Sequence, residues 1–265
     1  MSYVDRISIW GLMNKNASLC TKYPQPAHYR VKSCKKISVY CSSPIPDESQ
    51  YDEINYMYLD KDPNVKGSTC MDEIVSDIDS ENYFRELPGR EYREIRETRN
   101  KYINKIETRA ITTDNYLEVL NMIERWRYSS GMKYGWQEHA GIDKALIKRY
   151  IEDPQRWNKD VIMTSFWIEE RCIGYSCIER NSLQKRENLP EYVYLTRKVL
   201  NDLSMRNITE YIDWWTFREI YRTNGDERFL VNWGCSSGGV HWYKTHKWKL
   251  YSLTKKWFYK YKREK

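Results

Sequence analysis

Residues 161–178 read VIMTSFWIEERCIGYSCI, and this stretch decides the fold class. Both of its ends are rich in β-branched and aromatic residues, and the charged turn Glu169-Glu170-Arg171 separates them. That pattern predicts a β-hairpin with strands over residues 161–168 and 172–178.

The segments that flank the hairpin extend it to an α/β fold. The elements predicted from residue 112 onward are helices at 112–126 and 143–152, the hairpin, a strand at 192–195, a helix at 208–224, a strand at 229–232, a Ser/Gly loop at 234–239, a helix at 241–246 and a strand at 250–261. Three strands in succession favour a mixed sheet with flanking helices over a doubly wound alternation.

The N-terminal part of the chain carries weaker patterns. Strands are predicted at 37–40 and 54–59, and a helix is predicted at 71–79. After the breaker Leu87-Pro88-Gly89, alternating charges predict a helix over 90–108.

Composition excludes several classes of protein. The chain has 265 residues, of which 40% are hydrophobic and 15% aromatic, so it is neither intrinsically disordered nor built around a membrane span. Its seven cysteines form no CxxC pair and its four histidines are scattered, which argues against a metal site. Free thiols and the absence of an apolar run in the first ten residues predict a cytoplasmic protein.

Charge is distributed unevenly along the chain. The net charge is +7, yet residues 243–265 carry nine Lys/Arg and one acid, while residues 44–82 carry eleven acids and two lysines. Aromatic residues are interleaved with the C-terminal lysines, a pattern that suits a polyanion or a phosphorylated cofactor and places Lys255 and Lys256 among the candidate phosphate ligands. The alternative is a solvated edge strand that its lysines protect from association.

Four local motifs accompany this order of elements. They are Phe166–Tyr175 with its charged turn and apolar-Gly pair, Tyr192–Leu195 before the helix at 208–221, Leu230-Val231-Asn232, and Trp242-Tyr243-Lys244-Thr245-His246-Lys247-Trp248. Together they resemble the GNAT acyltransferases, which implies a GNAT-type mixed sheet with flanking helices.

A further motif resembles one branch of that superfamily. Leu87–Tyr92 with Arg96 and Arg99-Asn100, and later Asn232-Trp233-Gly234, are similar to proteins related to the C-terminal domain of phosphatidylglycerol lysyltransferase. The resemblance covers about residues 85–260. It implies two GNAT-like halves: a degenerate or accessory half at 1–110 and a catalytic domain at 111–265.

Three residues are candidates for catalysis. Tyr243 matches the family tyrosine that protonates the leaving group, or it is a helix tyrosine packed on the sheet. Asn232 either binds donor or acceptor through its amide or caps a turn. His241, at the start of a predicted helix, is either a general base or a surface histidine.

Two further sets are candidates for binding anions. The resemblance, and the backbone N–H groups that precede a helix, indicate a cofactor site at Leu195, Arg197, Ser236, Ser237, Gly238, Gly239 and Lys244. Arginines that recur every three residues from Arg90 to Arg99 form either a phosphate-binding ridge or a salt-bridged helix face, and the motif singles out Arg90, Tyr92 and Arg99.

The resemblance implies transfer of an acyl or aminoacyl group to an amine or hydroxyl. Its donors are acetyl-coenzyme A or an aminoacyl-tRNA. The basic C-terminus suits a nucleic-acid-linked acceptor, and low leucine with high tyrosine and tryptophan resembles phage proteins, some of which modify DNA bases in the host cytoplasm.

Two alternatives from other classes stay open. Residues 200–206, LNDLSMR, stand where the family has a glycine-rich pyrophosphate loop, and this favours a non-catalytic nucleic-acid-binding protein on a GNAT scaffold. The acidic stretch at 44–82 would suit a protein-interaction module with a basic partner.

Overall fold

The structure is a computed structural model. It describes residues 17–19, 29–31, 36–40, 53–59, 63–64, 66–79, 87, 89–90, 92–133, 137–157, 160–180, 192–200, 205–225, 228–236 and 238–262.

The helices and strands follow in chain order. They are β1 (Ala17–Leu19), β2 (Tyr29–Val31), β3 (Lys36–Tyr40), β4 (Glu53–Leu59), β5 (Thr69–Asp79), α1 (Arg93–Tyr102), β6 (Glu107–Ala110), α2 (Tyr116–Trp126) with a π-helical turn (Arg127–Gly131), α3 (Gln137–Glu152), α4 (Pro154–Trp157), β7 (Val161–Ile168), β8 (Arg171–Arg180), β9 (Tyr192–Val199), α5 (Ile208–Asn224), β10 (Arg228–Ser236), α6 (Gly238–Lys247) and β11 (Leu250–Lys262). The predicted α/β class, a mixed sheet with flanking helices, is confirmed.

Contacts divide the chain into two compact units. The first comprises Met1–Ser76, Asn181–Leu189 and Asn232–Lys265, and the second comprises Asp77–Arg180 and Pro190–Val231. The unit boundaries fall within β5 and β10. The predicted division at residue 110 into a degenerate and a catalytic GNAT-like half stays a prediction.

In the second unit both faces of the sheet are covered. Strands β6 to β9 pair in sequence as antiparallel neighbours. Gly174 of β8 approaches Ile212 of α5, whereas Tyr175, next along the strand, interacts with Asp143 of α3. Eight consecutive residues of β8 are therefore buried, which explains the unbroken apolar run that the hairpin shows in the sequence.

In the first unit β11 is an interior strand. The hydrogen-bonded order is β3-β4-β11-β5, with β3 parallel to β4 and β11 antiparallel to both of its neighbours. The alternative interpretation of the C-terminal segment as an edge strand is therefore wrong.

Two element predictions are also wrong, for identifiable reasons. Residues 71–79 form strand β5 instead of a helix, and the five consecutive residues from Ile74 to Ile78 are buried, as in a strand covered on both faces. The predicted loop at 234–239 is mostly ordered structure, because β10 continues to Ser236 and α6 begins at Gly238. Strand β10 passes Gly234 in a left-handed conformation (φ 68°) that glycine adopts without steric cost.

The charged helix predicted over 90–108 is shorter in the structure. Helix α1 begins at Arg93 and ends at Tyr102, and β6 follows it. Arg90 lies in the bend before α1, so the four predicted arginines do not form one helical ridge.

Candidate functional site

The chemistry-bearing residues of the first unit gather around Asp72 and Glu73 of β5. Successive residues of a strand point to opposite faces of the sheet, so these two carboxylates contact different neighbours. In the register of β5 with β11, Asp72 lies opposite Lys255 and Glu73 lies opposite Thr254.

On one face Asp72 approaches His241 of α6. His241 Nε2 lies 3.1 Å from Asp72 Oδ2, an ion-pair distance without hydrogen-bond alignment, and the two side chains are 29% and 34% exposed. Lys255, exposed on β11, shares this face. The pair thus combines a carboxylate-oriented imidazole with partial access from solvent.

On the other face Glu73 is held by Asn232 and Lys256. Asn232 Nδ2 donates to Glu73 Oε1 (2.8 Å), and Asn232 Oδ1 accepts from the backbone N–H of Gly234 (2.7 Å). Lys256 Nζ lies 3.4 Å from Glu73 Oε2 with its side chain 16% exposed. Both ends of the Asn232 amide have partners within the protein, so this side chain positions Glu73 and stabilises the kink at Gly234.

Lys244 of α6 forms hydrogen bonds with the C-terminal end of β10. Its Nζ donates to the carbonyl oxygen of Trp233 (2.8 Å) and to Ser236 Oγ (2.6 Å). Gly238 and Gly239 form the first turn of α6, with space around the position of each missing Cβ. Ser237 lies outside the described residues.

Tyr243 and Cys235 also belong to the first unit. Tyr243 is half-buried on α6 and lies about 200° around the helix axis from His241, so the two side chains leave the helix in different directions. Burial, reinforced by the Glu73 carboxylate, raises the pKa of the Cys235 thiol to about 12. The thiol is therefore protonated at neutral pH and is not a nucleophile.

The region of the second unit that the resemblance assigns to a phosphorylated cofactor contains both arginines and carboxyl groups. Leu195 is half-buried on β9, and Arg197 of the same strand forms an ion pair with fully buried Asp213 of α5. The first turn of α5 contains Glu210, which is 5% exposed. Because Arg197 is paired with Asp213 and the first turn of α5 contains a buried carboxyl group, these described residues disfavour the pyrophosphate of coenzyme A.

The remaining predicted phosphate ligands also belong to the second unit. Arg90 is exposed and Tyr92 half-buried at the start of α1. Arg99 donates to Asn100 Oδ1, and burial together with neighbouring Arg96 lowers the pKa of Arg99. Arg96, which donates to the carbonyl oxygens of Leu87 and Gly89, fixes the loop before the helix.

The structure thus brings together some predicted residues and adds others. Asn232, Ser236, His241, Lys244 and Lys256 lie in one unit around Asp72 and Glu73, which the sequence reasoning missed because it assigned their segment to a helix. The β-branched residues Ile74, Val75 and Ile78 are a partial strand signal, which the charged residues around them obscure.

Across the described residues, no three or more His, Cys, Asp or Glu side chains are grouped as a metal site would require. Within the same residues, no helix is both long and apolar enough to cross a membrane.

Solved structures share this fold. A conserved protein of unknown function from Bacteroides thetaiotaomicron matches with a TM-score of 0.59 at 10% identity, over 94% of this chain and 87% of its own. L-PGS from Bacillus licheniformis matches with a TM-score of 0.59 at 9% identity, over 97% and 87%. A functionally unknown conserved protein from Staphylococcus epidermidis matches with a TM-score of 0.53 at 9% identity, over 100% and 98%.

These likenesses are at the level of fold alone. No protein-family model matches the chain, and no curated protein matches it in sequence. The chain therefore shares a fold with L-PGS, and its membership of the branch that the motifs resemble stays a prediction.

Proposed function

We propose that this protein transfers an acyl or aminoacyl group to an amine or hydroxyl, with His241 as the general base. The observation that carries the proposal is the 3.1 Å approach of Asp72 Oδ2 to His241 Nε2 at a partly exposed position. With Nε2 turned toward the carboxylate, Nδ1 is the ring nitrogen that accepts a proton. Asp72 orients the ring and stabilises the imidazolium that forms.

The reaction is direct attack on the acyl carbon. The acceptor loses its proton to His241 while its nitrogen or oxygen bonds to that carbon, and the bond from the carbon to the leaving oxygen then breaks. The His241 imidazolium then gives this proton to the leaving oxygen, because Tyr243 leaves α6 in a different direction, and the N–H groups of Gly238 and Gly239 are proposed to stabilise the oxyanion. A covalent enzyme intermediate on Cys235 is disfavoured by the raised pKa of its thiol.

Of the two donor classes that the resemblance implies, we favour an aminoacyl-tRNA. The ion pair of Arg197 with Asp213 and the buried Glu210 at the start of α5 disfavour a coenzyme A pyrophosphate there. The fold shared with L-PGS is compatible with this choice.

The test is transfer of label from aminoacyl-tRNA and, in parallel, from acetyl-coenzyme A to small amines, hydroxyl compounds and oligonucleotides. His241→Gln is expected to lower the transfer rate by about 10²–10⁴-fold. Asp72→Asn should lower it less, because the remaining side-chain oxygen can still orient the ring. The matched control is His139→Gln, which changes an exposed histidine of α3.

Full activity of His241→Gln would exclude the general-base role, and a large loss of activity in Tyr243→Phe would show that Tyr243, and not His241, protonates the leaving group. Transfer from acetyl-coenzyme A alone would refute our choice of donor. If neither donor reacts with any acceptor, the second candidate, a nucleic-acid-binding protein on a GNAT scaffold, takes precedence. The lysine-rich segment 238–262, which contains no acidic residue, favours that candidate.

A further inference from the structure

Helix α6 exposes an aromatic pair with fixed geometry. Trp242 is 54% exposed, and its ring stacks on that of His246 with centroids 4.8 Å apart and planes at 18°. His246 Nδ1 lies 2.9 Å from the Trp242 carbonyl oxygen and 2.9 Å from Thr245 Oγ1. These contacts hold the imidazole in place. Solvent therefore reaches a large π surface whose orientation is already set.

Strand β11, which follows α6, also exposes aromatic and aliphatic side chains. Tyr251 is 55% exposed and Leu253 45% exposed, and the pairing of β11 with β5 shifts register between Leu250 and Ser252. None of the described residues of α6 is buried, whereas a surface helix usually buries one apolar face against the core. The surface thus contains more exposed aromatic and aliphatic side chains than a solvated helix requires.

Positive charge surrounds this surface. Residues 238–262 contain seven lysines and no acidic residue. Lys249 and Lys255 are exposed, whereas Lys256 is drawn to Glu73. Two carboxylates of β5, Asp72 and Glu73, lie close to this segment at His241 and Lys256, and its seven lysines outnumber them.

We propose that Trp242, His246 and the adjoining lysines form a binding surface for single-stranded nucleic acid. Bases offer π faces that stack on an exposed indole, and phosphates suit lysines on flexible side chains. A duplex keeps its bases stacked on each other and could use only the lysines. This surface goes beyond the proposed transfer chemistry and does not rest on it, because it stands whether or not His241 acts as a base.

Binding of fluorescein-labelled dT12 and U12 to the full chain, followed by anisotropy at 50 and 200 mM salt, tests the proposal. Trp242→Ala is expected to weaken binding about 5- to 150-fold, and Trp242→Phe should restore most of the affinity, because a base can still stack on phenylalanine. Lys249→Gln should reduce the slope of log K against log salt by about 0.7. The matched control is Tyr128→Ala, which removes another aromatic side chain, 65% exposed, that lies beside Arg127.

A loss for Trp242→Ala together with unchanged binding for Tyr128→Ala supports the surface. Equal affinity of all variants, equal affinity for the corresponding duplex, or no binding of either oligonucleotide at 50 mM salt overturns it. Circular dichroism and the melting temperature of each variant separate lost binding from lost folding. Since the readout is binding, failure of the transfer assay leaves this result unaffected.

Discussion

Glu210 holds a carboxyl group in an environment that disfavours its charge. The residue is 5% exposed, and Thr98 Oγ1 donates to its Oε2 at 3.5 Å. Burial, together with the neighbouring Asp213 carboxylate, raises the pKa of Glu210 from 4.5 to about 7. Between these two pH values the folded protein keeps a proton that the unfolded chain has released, so stability falls as the pH rises through this window.

We expect Glu210→Gln to remove this dependence, because the amide has no proton to lose and still accepts a hydrogen bond from Thr98. The variant should match the wild type near pH 4.5 and exceed it by at most about 3 kcal/mol above pH 7. Urea unfolding at pH 5 and pH 8 measures the difference. Glu152→Gln, at an exposed position of α3, is the control, and equal stability of Glu210→Gln and the wild type at pH 8 would contradict the assignment.

At the site, the sequence predicts some of the residues but not the partners that they contact. His241, Asn232 and Lys244 could be predicted, because their residue types and their place near the start of a helix suggest chemistry. Their partners could not, because the neighbours of Asp72 and Glu73 depend on β5 being a strand beside β11. What Asn232 binds is likewise a property of register, which no local pattern contains.

At the scale of elements, the packing of α5 on the sheet depends on Gly174. A Cβ there would lie 2.9 Å from the carbonyl oxygen of Lys198 and 3.1 Å from Ile212 Cδ1. The first of these atoms belongs to the backbone of the neighbouring strand β9 and cannot move without disturbing the pairing of β8 with β9.

We therefore expect Gly174→Ala to destabilise the protein by about 1–3 kcal/mol. The matched substitution Gly141→Ala, on an exposed part of α3 with no atom near the new Cβ, should instead stabilise it by up to about 1 kcal/mol. Thermal or urea unfolding of both variants distinguishes the two effects. A stable Gly174→Ala protein would show that α5 and β9 yield to the extra methyl group.

The hairpin β7–β8 shows why some elements were predictable. Its β-branched and aromatic runs and its charged turn are local, and the observed bounds differ from the predicted ones by at most two residues at any end. The helix predicted at 71–79 failed because its charged residues gave β5 a mixed pattern. Its burial on both faces, which decides the strand, arises only from the neighbours that the fold supplies.

At the scale of the whole molecule, the first unit joins two distant parts of the chain. Strand β11 lies between β4 and β5, so that Trp257 pairs with Leu59 on one side and with Cys70 on the other. These pairings join residues nearly 200 positions apart, so the sheet of this unit cannot be completed before the C-terminal segment is present.

Interrupting β11 should therefore expose its neighbours. Thr254→Pro removes a backbone N–H where β11 pairs with Glu73 of β5, three residues before β11 also pairs with β4. Hydrogen exchange should show lost protection in β4 and in residues 69–76 of β5, while β7, β8 and β9, which belong to the other unit, retain most of theirs. Thr254→Val, which keeps the N–H donor and favours a strand, is the control.

Uniform loss of protection across both units would mean that they unfold as one. Unchanged protection in β4 would mean that β11 does not hold the sheet of this unit together.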